Sequence, residues 1–341
     1  MSIFKKLFWG LSLIAVLGAA DLVPAAESAS RSQPDRLVIS CKGTNSLVVL
    51  DAETGKHLGS VRTGVSPHEV VVTSDRKRAV VSIYGSGIYG DNPNPNNQLG
   101  LIDLENMTED YRLDLGKFKA PHGLAVAEDG RIWVTVEENK SVLLVDPTKR
   151  AVVASVPVGA PAHYIVLSPD DRWAYTSNKQ AKFISVIDTQ RREATERIDL
   201  PRGAQGIAVS PDGKRLYVGD FDRHLLQVVD TGARRRIKEI QLQAQSGWVH
   251  VTHDSKRVLV STYDQKKNKG FIEFFSTESL ESEGVVPVES EPFHMTSTTD
   301  GRYAFVALGD GSIAKIDTRL LKIVSTFVAD EGAERIILLE E

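Results

Sequence analysis

A module of about 42 residues recurs along most of this 341-residue chain and limits its possible folds more than any other feature. Each copy has an aspartate that ends a short apolar run and leads into a turn, at Asp75, Asp129, Asp170, Asp212, Asp254 and Asp300. A second series runs beside it, at Asp51, Asp103, Asp146, Asp188, Asp230 and Asp317, with Ser276 in the one missing place. A fixed period of this length, rich in β-branched residues, indicates stacked sheet units rather than one ordinary core.

Each module contains four short strand patterns separated by turn residues. The clearest copy has apolar alternation over residues 206–210, 215–219, 225–230 and 236–241, with a Pro-Asp-Gly turn after the first run. Period-two alternation bounded by turn residues favours strands over helices. Four antiparallel strands in about forty residues are typical of a propeller blade.

The two ends of the repeat complement each other. First-strand patterns occur seven times, whereas residues 36–62 supply only a second, third and fourth strand and residues 333–341 supply only a first strand. Joining them completes one blade and removes the open sheet edges. The sequence therefore predicts an all-β, seven-bladed β-propeller over residues 36–341, with the last blade closed by strands from both termini.

The first 26 residues have a different character. Lys5 and Lys6 precede an apolar run over residues 7–20, and the small residues Ala25 and Ala26 follow, which is the order of a secretory signal peptide. Residues 27–35 are polar and aperiodic, so we expect a flexible lead-in. The prediction is a periplasmic or secreted protein that does not insert into the membrane after cleavage.

Charge and cysteine content exclude several classes of protein. The net charge of −4 gives no basic surface for nucleic acid. The single cysteine, Cys41, cannot form an internal disulfide or a CxxCH haem attachment. The remaining partners are a small molecule or another periplasmic protein.

Three segments carry a family resemblance: GAPAHYIVLSPDDRWAYTSN, GAQGIAVSPDGKRLYVGD and KAPHGLAVAEDGRIWVTV. They resemble the YVTN family of secreted bacterial seven-bladed propellers, and the resemblance extends over residues 36–341. It implies a relation to the haem-binding propeller of dissimilatory nitrite reductases, to quinoprotein amine dehydrogenase heavy chains and to some sugar lactonases. The resemblance indicates the architecture but does not distinguish between functions.

A row of polar residues indicates a metal site. First strands line the channel of a propeller, and the residue seven places before the repeated aspartate is histidine in three consecutive modules: His68, His122 and His163. Glu334 occupies the same place in the last module. Imidazoles converging from neighbouring strands suit zinc or copper. Alternatively, these histidines hydrogen-bond the backbone between blades and bind no metal.

Other side chains are candidates for ligand binding at the channel mouth. The segment 84–100, rich in Gly, Pro and Asn, is expected to form a long loop that carries Tyr84, Tyr89 and Asp91 over the channel. A shorter loop is expected at 263–270. Trp248 and Arg335 stand next to the histidine row and complete the predicted ligand-binding set.

Three functions remain open. The first is a binding protein, without catalytic activity, for a small ligand, metal or protein partner at the channel mouth. The second is an enzyme with a channel-centred metal, performing lactone hydrolysis or copper redox chemistry. The third is a carrier or assembly factor for a tetrapyrrole or metal cofactor. No acid–base motif accompanies the histidines, which favours the first.

Overall fold

The computed structural model describes residues 34–220 and 222–341, and these form seven four-stranded antiparallel sheets. The predicted signal peptide and most of the predicted lead-in lie outside the described residues. Within the part described, no helix is long and apolar enough to cross a membrane. The predicted all-β, seven-bladed propeller is confirmed.

The blades follow one another along the chain, each running from an inner to an outer strand. Blade 1 contains β4 (Pro67–Val72), β5 (Arg78–Ile88), β6 (Asp91–Asp103) and β7 (Thr108–Asp114). Blade 2 contains β8 (Pro121–Val126), β9 (Ile132–Val136), β10 (Ser141–Asp146) and β11 (Ala151–Pro157). Blade 3 contains β12 (Ile165–Leu167), β13 (Trp173–Thr176), β14 (Phe183–Asp188) and β15 (Glu193–Asp199).

The second half of the ring repeats this order. Blade 4 contains β16 (Ala204–Val209), β17 (Arg215–Asp220), β18 (Leu225–Asp230) and β19 (Arg235–Gln241). Blade 5 contains β20 (Gln245–Val251), β21 (Arg257–Asp264), β22 (Lys269–Ser276) and β23 (Ser282–Val288). Blade 6 contains β24 (Pro292–Ser297), β25 (Tyr303–Leu308), β26 (Ser312–Asp317) and β27 (Lys322–Val328).

Blade 7 closes the ring with strands from both ends of the repeat. It contains β28 (Ala333–Leu339), β1 (Arg36–Cys41), β2 (Ser46–Asp51) and β3 (His57–Arg62), in that order. The register between β28 and β1 pairs Arg36 with Leu339 and Ile39 with Ile336. Closure by both termini therefore occurs as the repeat pattern predicted.

Burial is greatest in the two middle strands of a blade and least in its outermost strand. In blade 7 the middle strand β2 is buried along nearly its whole length, whereas the outermost strand β3 is largely exposed. The second and third strands pack against neighbouring blades on both faces, so they are rich in Val, Ile and Leu. The core consequently lies between blades, where apolar side chains of adjacent sheets meet.

The repeated aspartates form hydrogen-bonded turns. Oδ1 of Asp51 accepts hydrogen bonds from the backbone N–H groups of Glu53 and Thr54, and the other aspartates after third strands accept from their own turns in the same way. Ser276 Oγ replaces the missing carboxylate, accepting from Glu278 and Ser279. The predicted Asx-type turns are confirmed.

The long loop predicted at 84–100 is wrong, because this segment extends a β-hairpin. Strands β5 and β6 continue their pairing to Ile88 and Asp91, through two irregularities in register. The apolar alternation that marks a strand is absent because this end of the hairpin rises out of the blade and is largely exposed. The shorter loop predicted at 263–270 likewise contains strand pairing, with Asp264 opposite Lys269.

Candidate metal and ligand site at the channel mouth

A bulge in the innermost strand turns two consecutive side chains toward the channel. In blade 1, Pro67 pairs with Ile83 and Val70 pairs with Val81, so that His68 and Glu69 together oppose the single residue Ser82. The same shift occurs in the innermost strands of blades 2, 4, 5, 6 and 7. Bulges re-aim side chains in this way. A blade with this bulge can supply two neighbouring side chains to the channel where neither residue is glycine; in blades 2 and 4 the second residue is Gly123 or Gly206.

Hydroxyl groups on the second strands hold these bulges and link adjacent blades. Thr135 Oγ1 accepts a 2.7 Å hydrogen bond from the backbone N–H of Gly123 and donates one of 3.0 Å to the carbonyl of His163, in the next blade. Ser177 and Ser40 make the equivalent pair of bonds. We call this set the hydroxyl belt. It anchors the histidine backbone and leaves the imidazoles available.

The three histidines form a continuous row across blades 1, 2 and 3. The ring centroids of His68 and His122 are 4.6 Å apart, and those of His122 and His163 are 4.3 Å apart. All three side chains are buried. His122 is the middle member and contacts both of the others.

Glu137 faces this row from the end of the second strand of blade 2. His122, His163 and Glu137 each place one nitrogen or oxygen within 4.8 Å of the others, in an arrangement that can hold a metal ion. Tetrahedral ligands at 2.0–2.1 Å from zinc lie about 3.3 Å apart, so binding would draw the three groups together by at most about 1.5 Å. Tyr84 donates a 2.5 Å hydrogen bond to Oε2 of Glu137, which orients the carboxyl group.

Several buried atoms in this group make no hydrogen bond. They are both ring nitrogens of His68, Nδ1 of His122, Nδ1 of His163 and Oε1 of Glu137. Such groups are normally paired in native proteins, because an unpaired buried polar atom costs about 1–3 kcal/mol. Buried polar atoms without hydrogen bonds, on side chains that lie beside one another, are what a ligand set is expected to show.

Burial dominates the protonation of these groups. It lowers the pKa of His122 and of His163 well below the ordinary value, with a further contribution from neighbouring positive charge. Both imidazoles are therefore neutral, the form that binds metals. Burial also raises the pKa of Glu137 to about 8, although the hydrogen bond from Tyr84 lowers it.

Glu334 occupies the mouth beside His68 rather than among the three converging ligands. Its Oε1 lies 3.4 Å from Nδ1 of His68, and its Oε2 lies 3.8 Å from Nζ of Lys42. Burial alone raises the pKa of Glu334, but His68 and Lys42 outweigh it and lower the value to about 2. Glu334 is thus an anionic neighbour of the histidine row.

Trp248 and Arg335 each follow the histidine-row position of their innermost strand by one residue. They belong to a second layer of side chains in the channel. Trp248 Nε1 donates a 2.5 Å hydrogen bond to the hydroxyl of Tyr164, which lies 2.7 Å from Nε2 of His294. Arg335 donates to Nδ1 of His294 at 2.7 Å, and its Nε lies 3.5 Å from Oε2 of Glu69. Burial raises the pKa of Glu69 to about 7, against the effect of Arg335.

The two predicted ligand-binding residues in this layer, Trp248 and Arg335, differ in whether they reach the cavity. Trp248 also borders the cavity at the mouth, whereas Arg335 is directed to His294 and Glu69 and does not line that cavity. Both are the second residue of their bulges, and the difference lies in the partners of Arg335, which is held by His294 and Glu69.

The extended hairpin leans over the histidine row. The Tyr89 hydroxyl donates to the carbonyl of Pro161 at 2.7 Å, and its ring lies 4.9 Å from that of His163. Tyr84, predicted for an exposed rim, is instead fully buried against His68. Asp91 is exposed at the hairpin end and does not border the cavity, because the strand pairing carries it beyond the mouth.

Sequence reasoning missed Glu137, although the repeat contains a signal for it. Glu137 stands two residues after the belt hydroxyl of Thr135, and the equivalent positions in other blades are Lys42, Tyr84, Lys179 and Tyr263. Four of these five side chains border the mouth cavity or contact its histidines, and Glu137 joins the ligand group. Aligning second strands as well as first strands would have found it. Cys41 precedes this position and packs in an apolar cluster, away from the site.

Comparison with known proteins agrees with the fold. The YNCE-like beta-propeller family matches residues 85–257, half of the chain. The chain belongs to the YNCE-like beta-propeller family. None of the curated proteins compared with this YNCE-like chain matches it.

Solved structures resemble this YNCE-like propeller at low sequence identity. Hydrazine synthase of Kuenenia stuttgartiensis has a TM-score of 0.68 at 17% identity, over 81% of this chain and 95% of that one. A functionally unknown protein from Desulfotomaculum acetoxidans DSM 771 has 0.71 at 13%, over 89% and 98%. The dihydro-heme d1 dehydrogenase NirN, in complex with DHE, has 0.65 at 16%, over 91% and 78%. At such identities the likeness shows the fold alone.

Proposed function

We propose that this propeller binds a divalent transition-metal ion, zinc or copper, at its channel mouth and acts as a binding protein. The proposed ligands are His122, His163 and Glu137, with His68 as the neighbour able to complete the set. Two imidazoles and a carboxylate suit these metals.

One observation carries the proposal. His122, His163 and Glu137 are buried and converge, each with one possible ligand atom within 4.8 Å of the others. Oε1 of Glu137 lies 4.0 Å from Nε2 of His122 and makes no hydrogen bond. A bound cation would be coordinated by all three groups at once. The hydrogen bond from Tyr84 to the other oxygen of Glu137 is the kind of outer contact that orients a ligating carboxylate.

The size of the cavity favours a metal over a tetrapyrrole. The space bordered by the histidine row has a volume of about 230 Å³. Pockets for drug-sized molecules have roughly 300–1,000 Å³, so this space is small for a macrocycle. The similarity to NirN in complex with DHE therefore bears only on the fold. The same holds for the resemblance to the YVTN family.

The two enzyme alternatives require a metal ion at the same site. Lactone hydrolysis and copper redox chemistry both need a metal at the mouth, so metal identity is the first measurement. An absorption spectrum separates coloured copper from colourless zinc.

We further propose that the protein works outside the cytoplasm. The support is the order of charged, apolar and small residues over positions 1–26. Amino-terminal sequencing of the protein recovered from its host should give a start between residues 21 and 27. A start at Met1 or Ser2 would contradict the proposal.

The main experiment measures metal content in matched variants. Purified wild-type protein, dialysed against zinc or copper and analysed by mass spectrometry, should retain about one ion per chain. His122→Ala should abolish retention while its circular dichroism and thermal unfolding stay close to wild type. His57→Ala, which removes an exposed histidine, should retain the metal. Retention by His122→Ala, or no retention by wild type, contradicts the proposal.

A further inference from the structure

The mouth cavity continues beyond the proposed metal ligands toward blades 4, 5 and 6. Its far side is bordered by Gln205, Ser246, Trp248 and Phe293. The rings of Trp248 and Phe293 meet edge to face at 5.0 Å and form an apolar surface beside the polar groups. The cavity is therefore larger than a metal ion alone requires.

Two polar atoms on this far side are buried without a partner. Oε1 of Gln205 and Oγ of Ser246 make no hydrogen bond, and their side chains are 5% and 2% exposed. An amide oxygen can only accept, so the group that satisfies Gln205 must donate. The hydroxyl of Ser246 can donate or accept. The occupant expected here carries an O–H or N–H donor.

Positive charge at the mouth favours an anion. Lys42 and Lys179 both border the cavity. With a divalent cation in place, the two lysines and the ion carry four positive charges, against three negative charges on the nearby carboxylates Glu137, Glu291 and Glu334.

Together these features define one chemical class. We propose that the far side of the cavity receives a small carboxylic acid that carries a hydroxyl or amino group beside its carboxylate and chelates the bound metal. Its carboxylate would face the metal and the lysines, and its donor would reach Gln205. The volume of about 230 Å³ suits an acid of a few carbon atoms. This inference rests on the proposed metal site.

The test compares L-malate with succinate, which differ by one hydroxyl group. Zinc is first titrated calorimetrically into wild-type protein and Gln205→Leu, and both should bind it with similar affinity. Zinc-loaded wild type should then bind malate at least tenfold more tightly than succinate. In Gln205→Leu this preference should fall to less than about threefold, because the acceptor is gone. Gln190→Leu, an exposed position on another face of the ring, should keep it.

The two proposals fail in distinguishable ways. If wild type binds no zinc, the metal site itself is refuted. If zinc binds but malate and succinate bind equally, or if Gln205→Leu keeps the full preference, the metal site stands and the hydroxy-acid subsite is overturned. A Lys42→Met variant should weaken both acids alike, and unchanged affinity there would also count against an anionic occupant.

Discussion

The hydroxyl of Tyr84 donates a 2.5 Å hydrogen bond to Oε2 of Glu137, joining the extended hairpin of blade 1 to the second strand of blade 2. The bond satisfies one carboxylate oxygen and leaves Oε1 directed at the imidazoles, where it lies 4.0 Å from Nε2 of His122. Burial and the negative charge of Glu137 raise the pKa of Tyr84, so the hydroxyl stays protonated and able to donate.

Removing this hydroxyl should weaken metal binding without unfolding the ring. Loss of an outer contact to a metal ligand typically lowers affinity about ten- to a hundredfold, and we expect that range for Tyr84→Phe in a competition assay with a chelator. Tyr111→Phe is the matched control, because its hydroxyl donates to the carbonyl of Pro147 away from the site. Equal affinities in the two variants would refute an orienting role for Tyr84.

Metal affinity should rise with pH up to about 8. The pKa of Glu137 is raised to about 8, so at neutral pH metal binding must displace its proton, whereas the histidines are already neutral. Affinity should increase about tenfold per pH unit below 8 and level off above it. Glu137→Gln should bind more weakly and lose this slope. If Glu137→Gln kept the dependence of metal affinity on pH, the proton displaced by the metal would come from another group.

The metal-free protein should lose stability as pH rises through the same region. The raised pKa values of Glu69 and Glu137, about 7 and 8 against an ordinary 4.5, mean that the folded state holds protons that the unfolded state releases. The contribution is present below pH 4.5 and is lost as pH rises to 7–8. In urea unfolding, Glu137→Gln should be more stable than wild type at pH 8.5, by up to about 5 kcal/mol, and similar to it at pH 4.5. An equal difference at both pH values would contradict this origin.

The hydroxyl belt should contribute both to the stability of the fold and to metal affinity at the site. Thr135→Val keeps the shape of the side chain but removes its bonds to Gly123 and to His163, which should cost about 1–3 kcal/mol and lower metal affinity. Thr195→Val is the control, since its hydroxyl makes only a 3.5 Å contact on an outer strand. If both variants unfold at the same urea concentration as wild type, the belt is not stabilising.

Closure of the ring should depend on the last strand. Ile336 is 1% exposed in β28 and packs in the cluster shared with β1. Ile336→Ala should lower the free energy of unfolding by about 2–5 kcal/mol. Ile323→Ala on the outer strand β27, where the side chain is 41% exposed, should stay within about 0.5 kcal/mol of wild type. Comparable losses would argue against a closing role for β28.

The repeat made the ring predictable, but not the details of its mouth. The aspartate turns recur along the repeat and give the blade number, and the complementary strands at the two ends of the repeat give the closure. The histidine row was also visible, since His68, His122 and His163 share one place in the repeat. Glu137 was missed because only first strands were aligned. Its neighbour Glu138 is equally acidic, and only strand pairing decides which of the two faces inward.

The hairpin was misread for a different reason. Alternation reveals a strand when one face is buried, but residues 85–98 are held by backbone pairing at an exposed edge, where Gly and Asn are tolerated. Tyr84 was accordingly placed on a rim rather than in the interior. The separation of Trp248 from Arg335 depends on the contacts of Arg335 with His294 and Glu69, which no composition rule indicates.

The lean of the hairpin gives the channel mouth a direction of entry. Tyr89 fastens the hairpin of blade 1 to Pro161 at the start of blade 3, so it crosses the sector above the central histidine. A solute approaching the imidazoles meets less obstruction from the opposite half of the ring, past Gln205 and Trp248. We expect an ion to enter and leave by this open side. Shortening the hairpin would uncover the histidine row and speed exchange in both directions without altering a single ligand.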